Sequence, residues 1–186
     1  MKMKKVILFT GTAILVIAGA AFTMQKIINW KIDSSTAQVK FSLSAHEQET
    51  KGSFKNVKGE IEFNKNDLAA SFLNCTIDVT TISTEIENRD QHLRSADFFN
   101  ADKFPVITFK SKKIEQTTTG YTAVGDLTIK EITKEVSVPF TFDDAKKNGD
   151  FKGMFTINRS AFGVGEPGND IGDVITLWVD MPVEKL

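Results

Sequence analysis

Residues 88–105 read NRDQHLRSADFFNADKFP, and this stretch differs in kind from the sequence on either side of it. It is dense in charge, then aromatic, and it ends at a proline. Just before it, Thr84 and Glu87 have the T-x-x-E spacing of a capping box at a helix start, and Ile86 and Leu93 are spaced to share one helix face. We therefore predict one helix, over residues 84–95, and we expect the phenylalanines after it to close an apolar opening.

Outside this stretch, apolar and polar residues alternate in short segments. Val39, Phe41 and Leu43, for example, alternate with lysine and serine, which is the pattern of a strand with one buried face. About eight such segments follow one another at hairpin spacing, as in a β-sandwich or a barrel. Closing the sheet removes its exposed edges, so we predict an all-β fold: a closed antiparallel eight-stranded lipocalin-like barrel with one inserted helix near residues 84–95.

The segments between these strands are predicted from their polarity and glycine content. Residues 46–51 (HEQETK) are expected to be a solvated loop, residues 130–135 (KEITKE) a charged connection, and the glycine-rich residues 160–172 a long irregular loop. Pro139 lacks a backbone N–H and therefore indicates a sheet edge, an outer register or a bulge. If Arg159 is partly buried beside the glycine-rich loop, its several donors are suited to hold that loop through backbone carbonyls.

Composition narrows the classes of function. The 186 residues suffice for one domain, and they include 15 phenylalanines but only one tyrosine, an excess that fits a large core or a lined cavity. The net charge of −1 argues against a nucleic-acid partner. With Cys75 as the single cysteine and His46 and His92 as the only histidines, we predict no disulfide, metal or cofactor, and we interpret Cys75 as a small buried hydrophobe.

The N-terminus has the pattern of an exported protein. Three lysines within residues 1–5 precede an uncharged run and small residues at positions 18–20, so residues 1–20 are predicted to be a secretory signal peptide. The alternative is an uncleaved anchor that touches the inner membrane. Residues 21–29 are expected to form a short linker and residues 30–186 the barrel domain, in the periplasm or secreted. The oligomeric state stays open, a homodimer included.

Several short motifs occur in a fixed order along the chain. They are Trp30-x-Ile32-Asp33, the stretch from Arg89 to Phe99, Phe104-Pro105-x-Ile107-x-Phe109, Gly125-Asp126-Leu127-Thr128-Ile129, and Ile157-Asn158-Arg159-Ser160-x-Phe162-Gly163. Together they resemble the YceI-like family over essentially the whole chain after the N-terminal segment. The resemblance implies an extended lipocalin-like barrel with an elongated hydrophobic pore, a polyisoprenoid or similar long amphiphile as ligand, and a periplasmic or secreted setting.

The function predicted from these observations is non-enzymatic binding, transport or storage of a long amphiphile. The expected partner is a polyisoprenoid, an isoprenoid quinone or a fatty-acid-like lipid. One alternative is an enzyme or accessory factor acting on a lipid or quinone in the same cavity, and another is a surface interaction module with a solid core. The apolar strand and loop residues predicted to line the pore are Phe41, Phe54, Phe63, Ile77, Phe98, Phe99, Phe109, Leu127, Phe140, Phe142 and Phe155.

The charged residues of the helix admit two interpretations. Asp90 and His92 lie two residues apart, which places them on different helix faces, and no serine, cysteine or glutamate nucleophile is tied to them, so no catalytic residue is predicted. Asp90, His92 and Arg94 are expected to anchor the helix on the barrel through caps and ion pairs. The alternative is that His92 or an arginine meets the polar head of a ligand.

Overall fold

The structure is a computed structural model that describes residues 28–145, 147–168 and 170–186. The predicted signal peptide, residues 1–20, and residues 21–27 of the predicted linker lie outside the described residues. The described part of the chain forms ten strands and one α-helix. The strands are β1 (Asn29–Ile32), β2 (Gln38–Ala45), β3 (Gln48–Phe54), β4 (Lys58–Glu62), β5 (Phe72–Asp78), β6 (Val106–Gln116), β7 (Tyr121–Ile129), β8 (Ile132–Ala145), β9 (Asn148–Asn158) and β10 (Val174–Lys185), and the helix is α1 (Glu87–Arg94).

Eight of these strands close into a ring in which every pairing is antiparallel. Strands β4 to β10 follow one another, and β1 closes the ring because it pairs with β4 on one side and with β10 on the other. Strand β2 pairs with the first part of β10, and β3 pairs with β2, so this hairpin extends the wall at one end. The predicted closed eight-stranded barrel is confirmed, with two further strands.

Strand β3 corrects the prediction of a loop over residues 46–51. Only His46 and Glu47 form the turn, and both have positive φ, 51° and 62°, as the common two-residue hairpin turns require. Residues 48–51 continue as a strand paired with β2. In the same way, the predicted connection over residues 130–135 is shortened to a two-residue turn, because β8 already begins at Ile132.

The helix is shorter than predicted, and the capping box is not formed. It begins at Glu87, after the N-cap residue Ile86, which makes no side-chain cap bond. Glu85 has a positive φ of 65°, so the chain cannot run helically from Thr84 to Glu87. Thr84 bonds Asp90 instead: its backbone N and its Oγ1 donate to Asp90 Oδ1 at 2.7 and 2.5 Å.

The barrel has two ends of different character. At one end, which we call the floor, lie the turns after β4, β6 and β8; at the other, which we call the mouth, lie α1 and the turns after β2, β7 and β9. The buried residues form one cluster near each end. The two ends of the described chain meet at the floor, where the backbone N of Leu186 donates to the carbonyl of Asn29 at 3.0 Å.

Strands β8 and β9 separate toward the mouth. They pair from Phe140 and Gly153 to the floor, whereas residues 132–139 of β8 and 154–158 of β9 pair only with their other neighbours. Of the alternatives predicted for Pro139, the structure shows the edge, because the β8–β9 ladder ends at Phe140 while Pro139 pairs only with β7. A Cβ added at Gly153 would lie 2.8 Å from the carbonyl oxygen of Pro139, so glycine allows the strands to come this close before they part.

Candidate functional site

The barrel encloses a cavity of about 400 Å³ that reaches from the mouth to the residues above the floor. Its wall consists mainly of apolar side chains from β2, β3 and β5 to β10, which point inward at alternate positions along each strand. A volume of this size lies within the range of small-molecule sites, and such sites are mostly apolar with a few polar groups. The cavity is therefore the candidate functional site.

The floor half is filled by aromatic rings. Phe63 lies at the centre, with its ring centroid 5.0 Å from that of Tyr121 and 5.1 Å from that of Phe142. Phe142 stacks on Phe151 at 4.3 Å and meets Trp30 edge to face at 4.9 Å. Phe63 and Phe151 are each only 1% exposed. This half is a packed core, so the cavity ends above it.

Nine of the eleven residues predicted to line a pore face the cavity. They are Phe41, Phe54, Ile77, Phe98, Phe99, Phe109, Leu127, Phe140 and Phe155. Phe63 and Phe142 do not: contrary to the prediction, both lie in the aromatic core at the floor. Alternation along a strand predicts which residues point inward, but it does not predict at which height of the barrel the interior is filled. Whether the nine residues touch a ligand stays a prediction.

The segment between β5 and β6 covers the mouth, as expected from its phenylalanines. Leu93, Phe98 and Phe99 face the cavity, and the ring of Phe99 packs edge to face on that of Phe54 at 5.6 Å. Ser83, in the same segment, pairs with Ser53 of β3 through two backbone hydrogen bonds of 2.8 and 2.9 Å. These contacts fix the helix segment to the rim of the barrel.

A few polar side chains border the cavity at the mouth: His46, Thr50, Thr84, Arg89, His92 and Arg159. Arg89 is held in place because its Nε donates to Thr84 Oγ1 at 2.7 Å and its Nη2 donates to the Thr84 carbonyl at 3.0 Å. His92 is exposed, and its Nε2 lies 3.2 Å from Asp97 Oδ2. The site thus has one apolar compartment and one rim with cationic and hydroxyl groups.

The structure separates the three candidate residues of the helix. Asp90 is buried at 4% exposure, bonds Thr84 and does not line the cavity. Arg94 also lies outside the lining and donates to Glu87 Oε1 at 3.1 Å and to the Ile82 carbonyl at 3.4 Å. His92 alone of the three borders the cavity. Arg89 borders it too; it was not predicted by number, although it belongs to the same sequence motif as His92.

Arg159 holds the loop between β9 and β10, as predicted. It is 3% exposed, and it donates to the carbonyls of Val164 at 2.8 Å, Ile171 at 2.7 Å and Gly172 at 3.1 Å. Its Nη2 also lies 3.2 Å from Asp173 Oδ1, an ion pair without hydrogen-bond geometry. Because these bonds use both arms of the guanidinium, Arg159 shapes the rim rather than standing free at it.

Cys75 faces the cavity, where its Sγ lies 3.9 Å from Met181 Sδ. Burial raises the pKa of the thiol to about 12, because an apolar surrounding disfavours the thiolate. The neutral thiol is a weak nucleophile, in agreement with the interpretation of Cys75 as a small hydrophobe. Within the described residues, no group of three or more His, Cys, Asp or Glu side chains is arranged to hold a metal ion.

Sequence comparisons place these features in a family context. A family model described as YceI-like domain matches residues 30–183. A UPF0312 protein of Staphylococcus aureus (strain USA300) is 33% identical over 144 residues, which cover 73% of this chain and 82% of that protein. A UPF0312 protein of Yersinia enterocolitica is 39% identical over 87 residues, and the match spans 47% of this chain but only 45% of that protein.

Two solved structures share the architecture. BcnA of Burkholderia cenocepacia superposes with a TM-score of 0.76 at 26% identity, over 81% of this chain and 98% of that one. A domain of Saccharophagus degradans, described as polyisoprenoid-binding and implicated in plant cell wall breakdown, superposes with a TM-score of 0.66 over 84% of this chain and 98% of that one. Its identity is 12%, so this likeness concerns the fold alone. In the described part of the chain, no helix is long and apolar enough to span a bilayer.

Proposed function

The chain belongs to the YceI-like family, and from this premise we propose that it binds one amphiphile, with the apolar chain inside the barrel and the polar head at the mouth. The observation that carries the proposal is the cavity of about 400 Å³ between the packed floor and the helix segment. A packed protein interior leaves few voids larger than a water molecule. A space of this size, lined mainly by apolar side chains, is suited to an apolar ligand.

The energetics favour a chain-shaped ligand. Each methylene that moves from water into an apolar site contributes about 0.8 kcal/mol, so a chain of several carbons gains much from the wall of β2, β3 and β5 to β10. The role we propose is binding, transport or storage without catalysis. A polyisoprenoid, an isoprenoid quinone or a fatty-acid-like lipid meets this description. The Saccharophagus domain, described as polyisoprenoid-binding, supports the isoprenoid choice by analogy of fold.

The rim supplies groups for a polar head. Arg89 and His92 border the cavity from the helix, and Thr50 borders it from β3. The guanidinium group of arginine and the hydroxyl group of threonine donate hydrogen bonds to carboxylate, phosphate or carbonyl oxygens. The head group we propose therefore carries such oxygens. The proposed location is extracytoplasmic, on the strength of the export pattern in residues 1–20, and the mass of the mature protein from cells would test it.

The test of binding is direct. The protein is purified from cells together with their membranes and analysed by native mass spectrometry and by solvent extraction, and we expect one apolar-chain lipid per barrel. In the variant Leu177→Trp a large ring occupies the lumen, because Leu177 lines the cavity, and lipid recovery should fall. Thr176→Trp, one residue away and outside the lining, is the matched control. The proposal fails if the unaltered protein yields no lipid and shows no saturable binding of a fluorescent fatty acid.

A further inference from the structure

Two phenylalanine rings line the bottom of the cavity and are also part of the packed aromatic core below it. Phe140 and Phe151 line the cavity and are also members of the aromatic core. Phe140 contacts Phe63 at 5.7 Å, Tyr121 at 5.4 Å and Phe151 at 5.7 Å. Phe151 in turn contacts Phe63 at 5.5 Å and Phe142 at 4.3 Å. Moving either ring aside would break three ring contacts, so the depth of the cavity is fixed.

The volume above this floor sets a length for the enclosed chain. A dry cavity of about 150 Å³ accommodates benzene, or about 25 Å³ per carbon. At that density the 400 Å³ found here has room for about 16 carbons, close to three isoprene units. A longer chain must leave its remaining units at the mouth, where they gain little from burial.

We propose that Phe140 and Phe151 limit the length of apolar chain that the barrel can enclose to about three isoprene units. This inference rests on the proposed function, because it concerns the same cavity and the same ligand. It goes further in assigning the size of the enclosed chain to two named residues. The class of ligand that it favours is a short prenyl or a medium-length acyl amphiphile over one with many isoprene units.

The probes for the test are prenyl alcohols of two, three, four and five isoprene units, presented with cyclodextrin to the full barrel and measured by displacement of a fluorescent fatty acid. Each enclosed methylene should tighten binding about fourfold, so the five carbons added from two to three units should tighten it by up to about a thousandfold. The steps beyond three units should change the affinity by less than about twofold, because no further methylene is enclosed.

Two substitutions move the limit in opposite directions. Phe140→Ala removes a ring from the floor, so the affinity should rise up to about four isoprene units before it levels off. Cys75→Phe adds a ring just above the floor, since Cys75 faces the cavity beside Met181. In this variant the affinity should level off at about two isoprene units. Phe162→Ala is the matched control for the first change, because Phe162 is buried at 2% exposure but lies outside the lining; its plateau should stay at three units.

The outcomes separate the two proposals. An affinity that keeps rising by a similar factor through four and five units overturns the length limit but leaves binding intact. Absence of saturable binding for every probe and for the fluorescent fatty acid overturns the proposed function itself. Because Phe140→Ala opens a void in the core, its melting temperature is measured first. If it does not fold, Cys75→Phe decides, and an unchanged plateau in that variant contradicts the limit.

Discussion

At the scale of single residues, Arg159 holds the loop at the rim through three backbone carbonyls. The change Arg159→Ala would leave the Val164, Ile171 and Gly172 carbonyls and the Asp173 carboxylate without their partner. We expect the free energy of unfolding to fall by roughly 3 kcal/mol, because removing one member of a buried charged network leaves uncompensated groups. Arg159→Lys should recover little, since a single ammonium cannot span several carbonyls.

Urea denaturation followed by circular dichroism measures this effect. Lys134→Ala is the control, because Lys134 is exposed on β8 and should change the midpoint hardly at all. A midpoint for Arg159→Ala equal to that of the control would show that water replaces the guanidinium without cost, and would contradict the role that we assign to Arg159.

His92 and Arg94 separate head-group contact from helix anchoring. His92 borders the cavity, whereas Arg94 bonds Glu87 and the Ile82 carbonyl outside it. We expect His92→Ala to weaken binding of a fluorescent fatty acid several-fold at an unchanged melting temperature. Arg94→Ala should lower the melting temperature by a few degrees, roughly 1 kcal/mol for lost hydrogen bonds, and leave the affinity of the folded protein unchanged. The reverse pattern would exchange the two roles.

Residue-level prediction from the sequence succeeded where chemistry alone decides. An arginine with several donors beside a glycine-rich loop indicated the bonds that Arg159 makes, and the alternation around Cys75 indicated an inward thiol. It failed for Phe63 and Phe142, since their inward direction is a property of the strand, whereas their place in the packed floor depends on which rings from other strands arrive at the same height.

At the scale of elements, the β2–β3 hairpin contains a strained turn that can be relieved. Glu47 has a φ of 62°, a conformation that costs a residue with a side chain about 1 kcal/mol. Glu47→Gly should therefore stabilise the protein, by about 0.5 kcal/mol after the greater freedom of glycine in the unfolded chain is counted. Glu49→Gly, within β3, is the control and should destabilise. Thermal unfolding measures both, and a lower melting temperature for Glu47→Gly would contradict the assignment of the turn.

The same turn explains why β3 was not predicted. Hairpin turns of two residues are recognised from pairs such as Asn-Gly, and His46-Glu47 carries no such signal. Residues 48–51 are polar and mostly exposed, so they show no apolar face from which a strand could be read. The capping box failed for a related reason: Thr84 and Glu87 have the right spacing, but the buried carboxylate of Asp90 attracts the threonine hydroxyl.

At the scale of the whole molecule, the barrel depends on its closure by the last strand. Residues 183–185 pair with β1, and Val183 is buried in the floor cluster. A chain ending at Pro182 should open the ring between β1 and β10, expose two strand edges and aggregate. Removal of Leu186 alone, whose side chain is exposed, is the control and should preserve the melting transition. Light scattering during a thermal scan distinguishes the two, and equal behaviour would show that β1 closes the ring without these residues.

The closed barrel itself was predictable, because strands that each have one apolar face must bury that face together and an antiparallel ring leaves no edge. The motifs along the chain added the family. The division of the interior into a filled half and a hollow half was not predictable from one sequence, since it arises where Phe63, just after β4, meets rings from β7, β8 and β9, and where Trp30 of β1 meets Phe142. The separation of β8 from β9 is likewise a property of the assembled sheet.

The meeting of Asn29 and Leu186 at the floor places the first described strand at the end of the barrel opposite the opening. Ile28, the first described residue, lies at this solid end too, where its carbonyl accepts from the backbone N of Phe63 at 3.0 Å. A surface or partner that held the barrel by this end would leave the opening free on the far side. A molecule that entered the cavity would then come from that far side, and not from the surface that holds the barrel.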